Sequence, residues 1–474
     1  MQTALKAGSL SFIESLVMGV AGSAPGFTIA VTTAVLLGTA GTLSPGALLI
    51  FAVPMLGIAV AYKALNKKQV NAGAAYRWTT LAFGKFLGFF SGWALLLASM
   101  VFMVTGSLPL ATSTLDFIDP ALATNVVLSA GVAGVWFLAI AAVLIVGIEV
   151  TSRVQMVMTG VELLILTVVV LAALWHGIAV GPANPFHWSW FGFGYTPASF
   201  ASSALVVVFF YWGWDVTANL AEETANAEDN AGNGGFISIF VTIAYYVTFV
   251  FAALFLFSIA RAQSFSDNII YNIAVSAGFG RTGGLLASFA VILSSVATLE
   301  TTMLQFSRTL FAMGRDGAMP KLFGAVDPRT RTPVRAMIAL IALGLVLLLG
   351  SSLMPTIKAI IQDSVRAVGL LVAYYYGLAG LVAAYELAGL RHESIARWLA
   401  LCIFPALSGI SLIVLGIYAL TTFDRTTNVV GIGGLMLGIV FFRPGRFAIG
   451  EATDPAGQGT RPSTRPAGGP VAGS

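Results

Sequence analysis

The sequence predicts an all-α polytopic membrane protein with about twelve transmembrane helices. Three observations predict it. Of 474 residues, 58% are hydrophobic and only 9% are charged, against about 25% charged in soluble domains. Mean hydropathy is +0.90. The apolar residues also fall in runs of about 20, the length a helix needs to cross a bilayer. The net charge of +4 does not point to nucleic acid, because the basic residues sit in short loops between apolar runs. Cys402 lies alone inside an apolar run, which excludes an internal disulfide and a cysteine metal cluster. His176, His187 and His392 are not placed as a metal pair. The first apolar run lacks a following small-residue cleavage site, so it reads as a span rather than a signal peptide.

In chain order the spans are expected near 12–37, 46–63, 86–112, 124–148, 154–176, 199–221, 236–260, 283–308, 334–352, 362–387, 399–420 and 428–442. They are numbered one to twelve below. Lys63, Lys67, Lys68, Arg77, Lys85, Arg153, Arg315, Lys321, Arg329, Arg331, Arg335, Arg391, Arg397, Arg443 and Arg446 fall on one side. Few basic residues fall on the other: Arg261, Arg281, Arg425 and, at its edge, Lys358 and Arg366. The rich side is expected to be cytoplasmic, with both termini there and the protein in the plasma membrane. The loop at 177–198 is then external, and its Trp188 and Trp190 suit an interfacial aromatic belt.

Span one contains Gly22-Ser23-Ala24-Pro25-Gly26, which should break the helix near the bilayer middle, its upper half beginning near Phe27. A half-helix N-terminus presents free N–H groups and a positive dipole end, which favour a carboxylate. Span six contains the second break, at Trp212-Gly213-Trp214 within Phe209-Phe210-Tyr211-Trp212-Gly213-Trp214-Asp215. Carbonyls freed at 210–213 could accept from an ammonium group. Spans one and six each open a group of five. Interrupted helices at corresponding positions point to a transporter site built on inverted repeats. The units are then a cytoplasmic N-terminus (1–11), a first five-helix repeat (12–176), the external loop (177–198), a second repeat (199–387), two peripheral helices (388–442) and a disordered cytoplasmic tail (443–474), rich in Gly, Pro, Ser and Thr from 453 onward.

Intramembrane acids normally face a cavity or the bundle interior. On span five, Gln155, Thr159 and Glu162 share a face. Glu162 reads as a proton carrier, a sodium ligand or an interhelical hydrogen-bonding acid. On span eight, Ser294, Ser295, Thr298, Thr301, Thr302, Gln305 and Thr309 form a polar stripe, with Glu300 turned away from it. On span ten, Asp363 and Arg366 can pair. One of Tyr374, Tyr375 and Tyr376 must face inward, and Tyr374 shares the face of Asp363. Glu222 and Glu223 suit a salt-bridged gate with Arg153 or Arg308. No Gly-x-x-x-x-Gly-Lys-Ser/Thr loop is present, so an ion gradient or exchange would supply the energy.

These motifs resemble the amino acid–polyamine–organocation permeases. The resemblance covers about residues 10–440 and rests on three stretches. They are Gly213-Trp214-Asp215 followed by Glu222-Glu223; Ala61-Tyr62 through Ala72–Tyr76, Gly84 and Gly92-Trp93; and Arg308 followed by Ala312–Gly317, Pro320 and Thr332-Pro333. The resemblance implies a LeuT-type fold of five plus five inverted helices with two extra C-terminal helices. It implies a non-enzymatic secondary transporter without cofactor, binding an amino acid or a polyamine and coupled to H⁺ or Na⁺. Ser23, Ala24, Pro25 and Gly26 would match the family's unwound segment, although Pro25 removes one N–H donor. Phe210, Trp212 and Gly213 would face them across the substrate. Phe209 would match an aromatic gate, with Tyr374, Glu222 and Glu223 as further gating positions. Glu162, Thr298 and Asp215 are the ion-coupling candidates. In some relatives the position of Glu162 is a lysine that stands where sodium sits in sodium-coupled cousins.

Overall fold

A computed structural model describes residues 4–265, 268–353, 357–421, 423 and 425–447, apart from the side chains of 120, 357–362 and 426. The expected tail from 448 onward and the side chain of Lys358 lie outside the described residues. Among these residues all regular structure is helical, with one isolated β-bridge, Leu10 to Thr224.

Nine stretches of described residues are long and apolar enough to cross a membrane. The longest, Phe12–Lys68, contains expected spans one and two, and Ile269–Arg315 contains span eight. Pro197–Phe210 and Val429–Phe441, at the positions of spans six and twelve, are apolar but shorter.

Span one is two helices, Phe12–Ser23 and Pro25–Ala40. The expected five-residue break is a single residue, Ala24, in the left-handed region at φ 47°. Its N–H still reaches the Val20 carbonyl at 3.0 Å, and its own carbonyl accepts from Thr28 at 2.8 Å. Pro25 therefore opens the second helix at its first position, where a missing N–H costs nothing and φ is already suitable. The helix restarts two residues before the expected Phe27.

Span six departs further. The break expected at 212–214 begins earlier and runs longer: the first helix of span six stops at Phe210. Residues Tyr211 to Asp215 are non-helical, and Gly213 takes φ 104°. Only the short helix Val216–Asn219 and a tighter turn, Ala221–Glu223, follow.

Several helices overrun the bilayer. Span eight, Gly280–Arg315, has 36 residues, or about 54 Å at the α-helical rise. Its last turns carry Arg308 and Arg315 toward the Lys- and Arg-rich face. Burial separates an inner set from an outer one. The apolar windows of spans three and ten are 89% and 78% buried, against 28% for span five and 33% for spans nine and eleven. The second half of span one is buried along nearly its whole length, packed on spans six, seven and eight and on the short helices Ile259–Ser264 and Ile269–Ala274.

Candidate functional site

The two breaks meet. A Cβ on Gly22 would lie 2.2 Å from the Gly213 carbonyl, and one on Gly213 would lie 2.2 Å from the Gly22 carbonyl. The backbones touch where neither residue has a side chain. Any other residue at either position would push the two helices apart, and Gly213 also needs its positive φ. Thr298 on span eight closes the contact by donating to the Gly22 carbonyl at 3.0 Å.

At the span-one break the Ser23 carbonyl and the Gly26 N–H are already engaged. The Ser23 carbonyl accepts from Tyr246 at 2.6 Å and from Thr28 at 2.9 Å. On the donor side, Pro25 has no N–H, and Gly26 donates to Glu162 Oε1 at 2.9 Å. The helix N-terminus expected to receive a substrate carboxylate thus holds a carboxylate of the protein. This follows from charge and dipole: a buried acid at the positive end of a helix is the favoured arrangement. Glu162 is fully buried, and its Oε2 has no hydrogen-bond partner among the described residues. Ser294 Oγ, beside Gly26, and Thr159 Oγ1 and Gln155 Oε1, on the face of Glu162, are likewise buried without partners. Gln155 fixes its other end by donating to the Ala297 carbonyl at 2.8 Å.

At the span-six break, side chains from other spans add to the local turn bonds. Asp215 is fully buried. Its Oδ2 accepts from Gln305 at 2.8 Å and Tyr375 at 3.0 Å, and its Oδ1 from Tyr376 at 2.9 Å. Trp212 donates its indole N–H to the Tyr375 hydroxyl at 2.6 Å. The pair Tyr375 and Tyr376, rather than Tyr374, turns to this carboxylate, and Tyr374 is half-buried. Of the carbonyls expected to be free at 210–213, that of Gly213 accepts the Val216 N–H at 3.2 Å. Phe209 joins an aromatic group: Phe102 lies 5.5 Å from Phe27, 6.2 Å from Phe209 and 5.3 Å from Trp212. Phe210 instead packs on Tyr246, at 5.1 Å.

With this geometry in hand, comparison with known proteins decides the family. A family model described as "Amino acid permease" matches residues 10–442. The chain belongs to the amino acid permease family. It is 25% identical over 361 residues to "Cationic amino acid transporter 4, vacuolar" of Arabidopsis thaliana, covering 70% of this chain and 57% of that protein. It is 28% identical over 322 residues to "Branched-chain amino acid permease BcaP" of Bacillus subtilis, covering 63% of this chain and 66% of that one. The chain thus spans less than two thirds of the length of these relatives. The structure of MhsT in complex with L-phenylalanine matches with a TM-score of 0.64 at 13% identity, covering 88% of this chain and 99% of that one. That likeness shows a common LeuT-type fold.

At the Lys- and Arg-rich end, below the breaks, lies a polar network. Glu223 and Arg308 form a bidentate pair, both bonds at 2.9 Å, with both side chains essentially fully buried. Glu222 pairs with Arg315 at 2.7 and 3.0 Å and also accepts the Ala72 N–H at 2.9 Å. Arg308 is therefore the partner of Glu223. The other residue considered, Arg153, is exposed on span five. Asn219 ties the same hairpin down, donating to the Ala72 carbonyl and to Thr309. Asp316 accepts from Arg77 and Tyr76. The N-terminal segment crosses beneath: Leu10 exchanges backbone bonds with Glu223 and Ala225 at 3.0 and 2.7 Å.

Sequence reasoning missed Phe102, Tyr246, the Asp215–Tyr375–Tyr376 contact, the Arg77–Asp316 pair and the Leu10 strap. Asp316 and Arg77 carried a signal, as charged residues flanking apolar runs. Phe102 carried none, being one aromatic in an aromatic-rich apolar helix. Glu300 is buried, and its Oε2 has no partner among the described residues. No group of three or more His, Cys, Asp or Glu that could hold a metal occurs among the described residues.

Proposed function

We propose that the chain is a secondary active transporter, not an enzyme, that moves amino acids across the plasma membrane by alternating access. The observation that carries this reading is the backbone contact of two broken helices, Gly22 against Gly213, beside a buried acid. Two interrupted helices at the middle of a bundle supply dipole ends and free backbone for a small zwitterion. In this reading Ser23 to Gly26 serve the carboxylate, and Phe209, Phe210, Trp212 and Gly213 serve the amine and side chain. Twelve spans form five plus five inverted repeats with two added helices, both termini are cytoplasmic, and Phe209 is the aromatic gate. The amino acid names of the relatives and the phenylalanine bound to MhsT support the substrate class.

Coupling is to protons, through Glu162. A carboxylate deep in a bundle, with one oxygen unpartnered, is held at a cost that a proton relieves. Asp215 is a weaker carrier, because three donors already satisfy its charge. The same three bonds argue against Asp215 as the recognition group for a polyamine. Glu222 and Glu223, with Arg315 and Arg308, form the gate on the cytoplasmic side. Opening that side must separate two ion pairs at once.

Uptake into proteoliposomes tests the reading, using a panel of labelled amino acids and amines under imposed proton or sodium gradients. Accumulation of at least one amino acid, driven by an inward proton gradient, is expected. Absence of uptake or exchange for every amine-bearing solute would sink it.

A further inference from the structure

The span-one break holds an internal competitor. The helix Pro25–Ala40 should offer its first-turn N–H groups to a substrate carboxylate, yet the first residue is proline and the second donates to Glu162 Oε1 at 2.9 Å. We infer that the carboxylate of Glu162 and the carboxylate of the substrate compete for the Gly26 N–H, so that a substrate bearing a carboxylate binds only when Glu162 is neutral. The inference rests on the transporter reading above and adds what couples substrate to proton.

First, the Gly26 N–H cannot serve two anions at once, and two carboxylates at one buried helix end repel. Second, nothing nearby compensates the second charge. Span one offers Gly26 and the Ser23–Thr28 turn, span seven offers Tyr246, and span eight offers Ser294 and the Ala290 carbonyl. Span five itself adds Thr159 and Gln155, and these groups are all uncharged. Third, Glu162 Oε2 and Ser294 Oγ are both fully buried and unpartnered among the described residues. A protonated Glu162 can turn its O–H to a neighbouring oxygen and release Gly26. The proton comes from the aqueous side to which the site is open. It returns to water on the other side when the substrate leaves and Glu162 takes back the N–H. One proton then moves with each carboxylate-bearing substrate.

An amine without a carboxylate has no claim on Gly26. Its binding should not depend on Glu162. The consequence is a difference between an amino acid and its own decarboxylation product, and that difference is what the experiment reads. Wild-type protein in nanodiscs is titrated with labelled leucine, phenylalanine and arginine and with isoamylamine, phenethylamine and agmatine, at about pH 5 and about pH 7.5, where neither the carboxylate nor the amine of any ligand titrates.

The expected result is an amino acid affinity that weakens as Glu162 ionises, by up to about tenfold per pH unit for one coupled proton, while amine affinity stays flat. Glu162→Gln should hold the amino acid at its acid-side affinity across the range. The wild-type profile carries the test by itself, so a poorly folded variant leaves it intact. Titration of Asp215 would shift both ligand classes together, which contradicts the inference. So would amino acid binding that is independent of pH, or a carboxylate-specific gain that follows added sodium instead of protons. In the pH-independent case the transporter reading survives. If no amino acid and no amine binds at either pH, the transporter reading fails and takes the inference with it.

Discussion

The two breaks solve the same problem in opposite ways. At span one the helix is interrupted by one residue, Ala24, and the backbone bonds bridge almost across it. The freed donor is capped by a distant acid, Glu162. At span six five residues leave the helix, and local turn bonds replace the helical ladder: Tyr211 and Trp212 donate back to Val207 and Phe209, and the Gly213, Trp214 and Asp215 carbonyls each accept from the residue three positions on. Side chains from other spans also hold it: Gln305 from span eight, Tyr375 and Tyr376 from span ten. The first break is stiff and electrostatically poised. The second is a run of turns tied to other spans by side chains. A site that must bind, occlude and release can use this division, with recognition on the stiff half and movement in the anchored half.

Four substitutions probe that division. Arg308→Ala should cost most, about 3–5 kcal/mol, because it leaves Glu223 as a buried unpaired charge. Thermal unfolding of the purified protein measures it, and the Glu223→Ala, Arg308→Ala double variant should lose less than the sum of the singles. Gly213→Ala should cost about 3 kcal/mol, from a left-handed non-glycine residue and from collision with the Gly22 carbonyl. Its uptake activity should fall with it. Tyr376→Phe removes one of three donors to Asp215 and should cost about 1–2 kcal/mol. A loss no larger than that of an exposed tyrosine variant would mean that the edges of span six are not anchored as described. Ala24→Gly should be smallest and of opposite sign, neutral or stabilising by up to about 1 kcal/mol, because it relieves a non-glycine residue at φ 47°. If Ala24→Gly and Gly213→Ala changed stability equally and in the same direction, the contrast between the halves would collapse.

Much of this was legible in the sequence where a residue contradicts its surroundings. Gly22 to Gly26 and Gly213 break apolar helices, Glu162 and Asp215 are charges in apolar runs, and Arg308 ends a span opposite two acids. Each is costly in a membrane and so carries a signal. The extent of the breaks was less legible. Ala24 alone suffices in span one because Pro25 can begin a helix as readily as it ends one. Periodicity placed Tyr374 with Asp363, and that spacing stands. Which face of span ten turns toward Asp215 depends on packing between helices distant in sequence, and it selects Tyr375 and Tyr376. The occupant of the Gly26 N–H was hidden for the same reason, since 136 positions separate the donor from Glu162.

The central claim is that the two breaks form one binding site. The most direct test is an experimental structure of the protein with a transported amino acid bound at acidic pH. The account predicts the ligand between Ser23–Gly26 and Phe209–Gly213, its carboxylate on the Gly26 N–H and Glu162 moved off it. A ligand bound away from both breaks, with Glu162 still on Gly26, would contradict it.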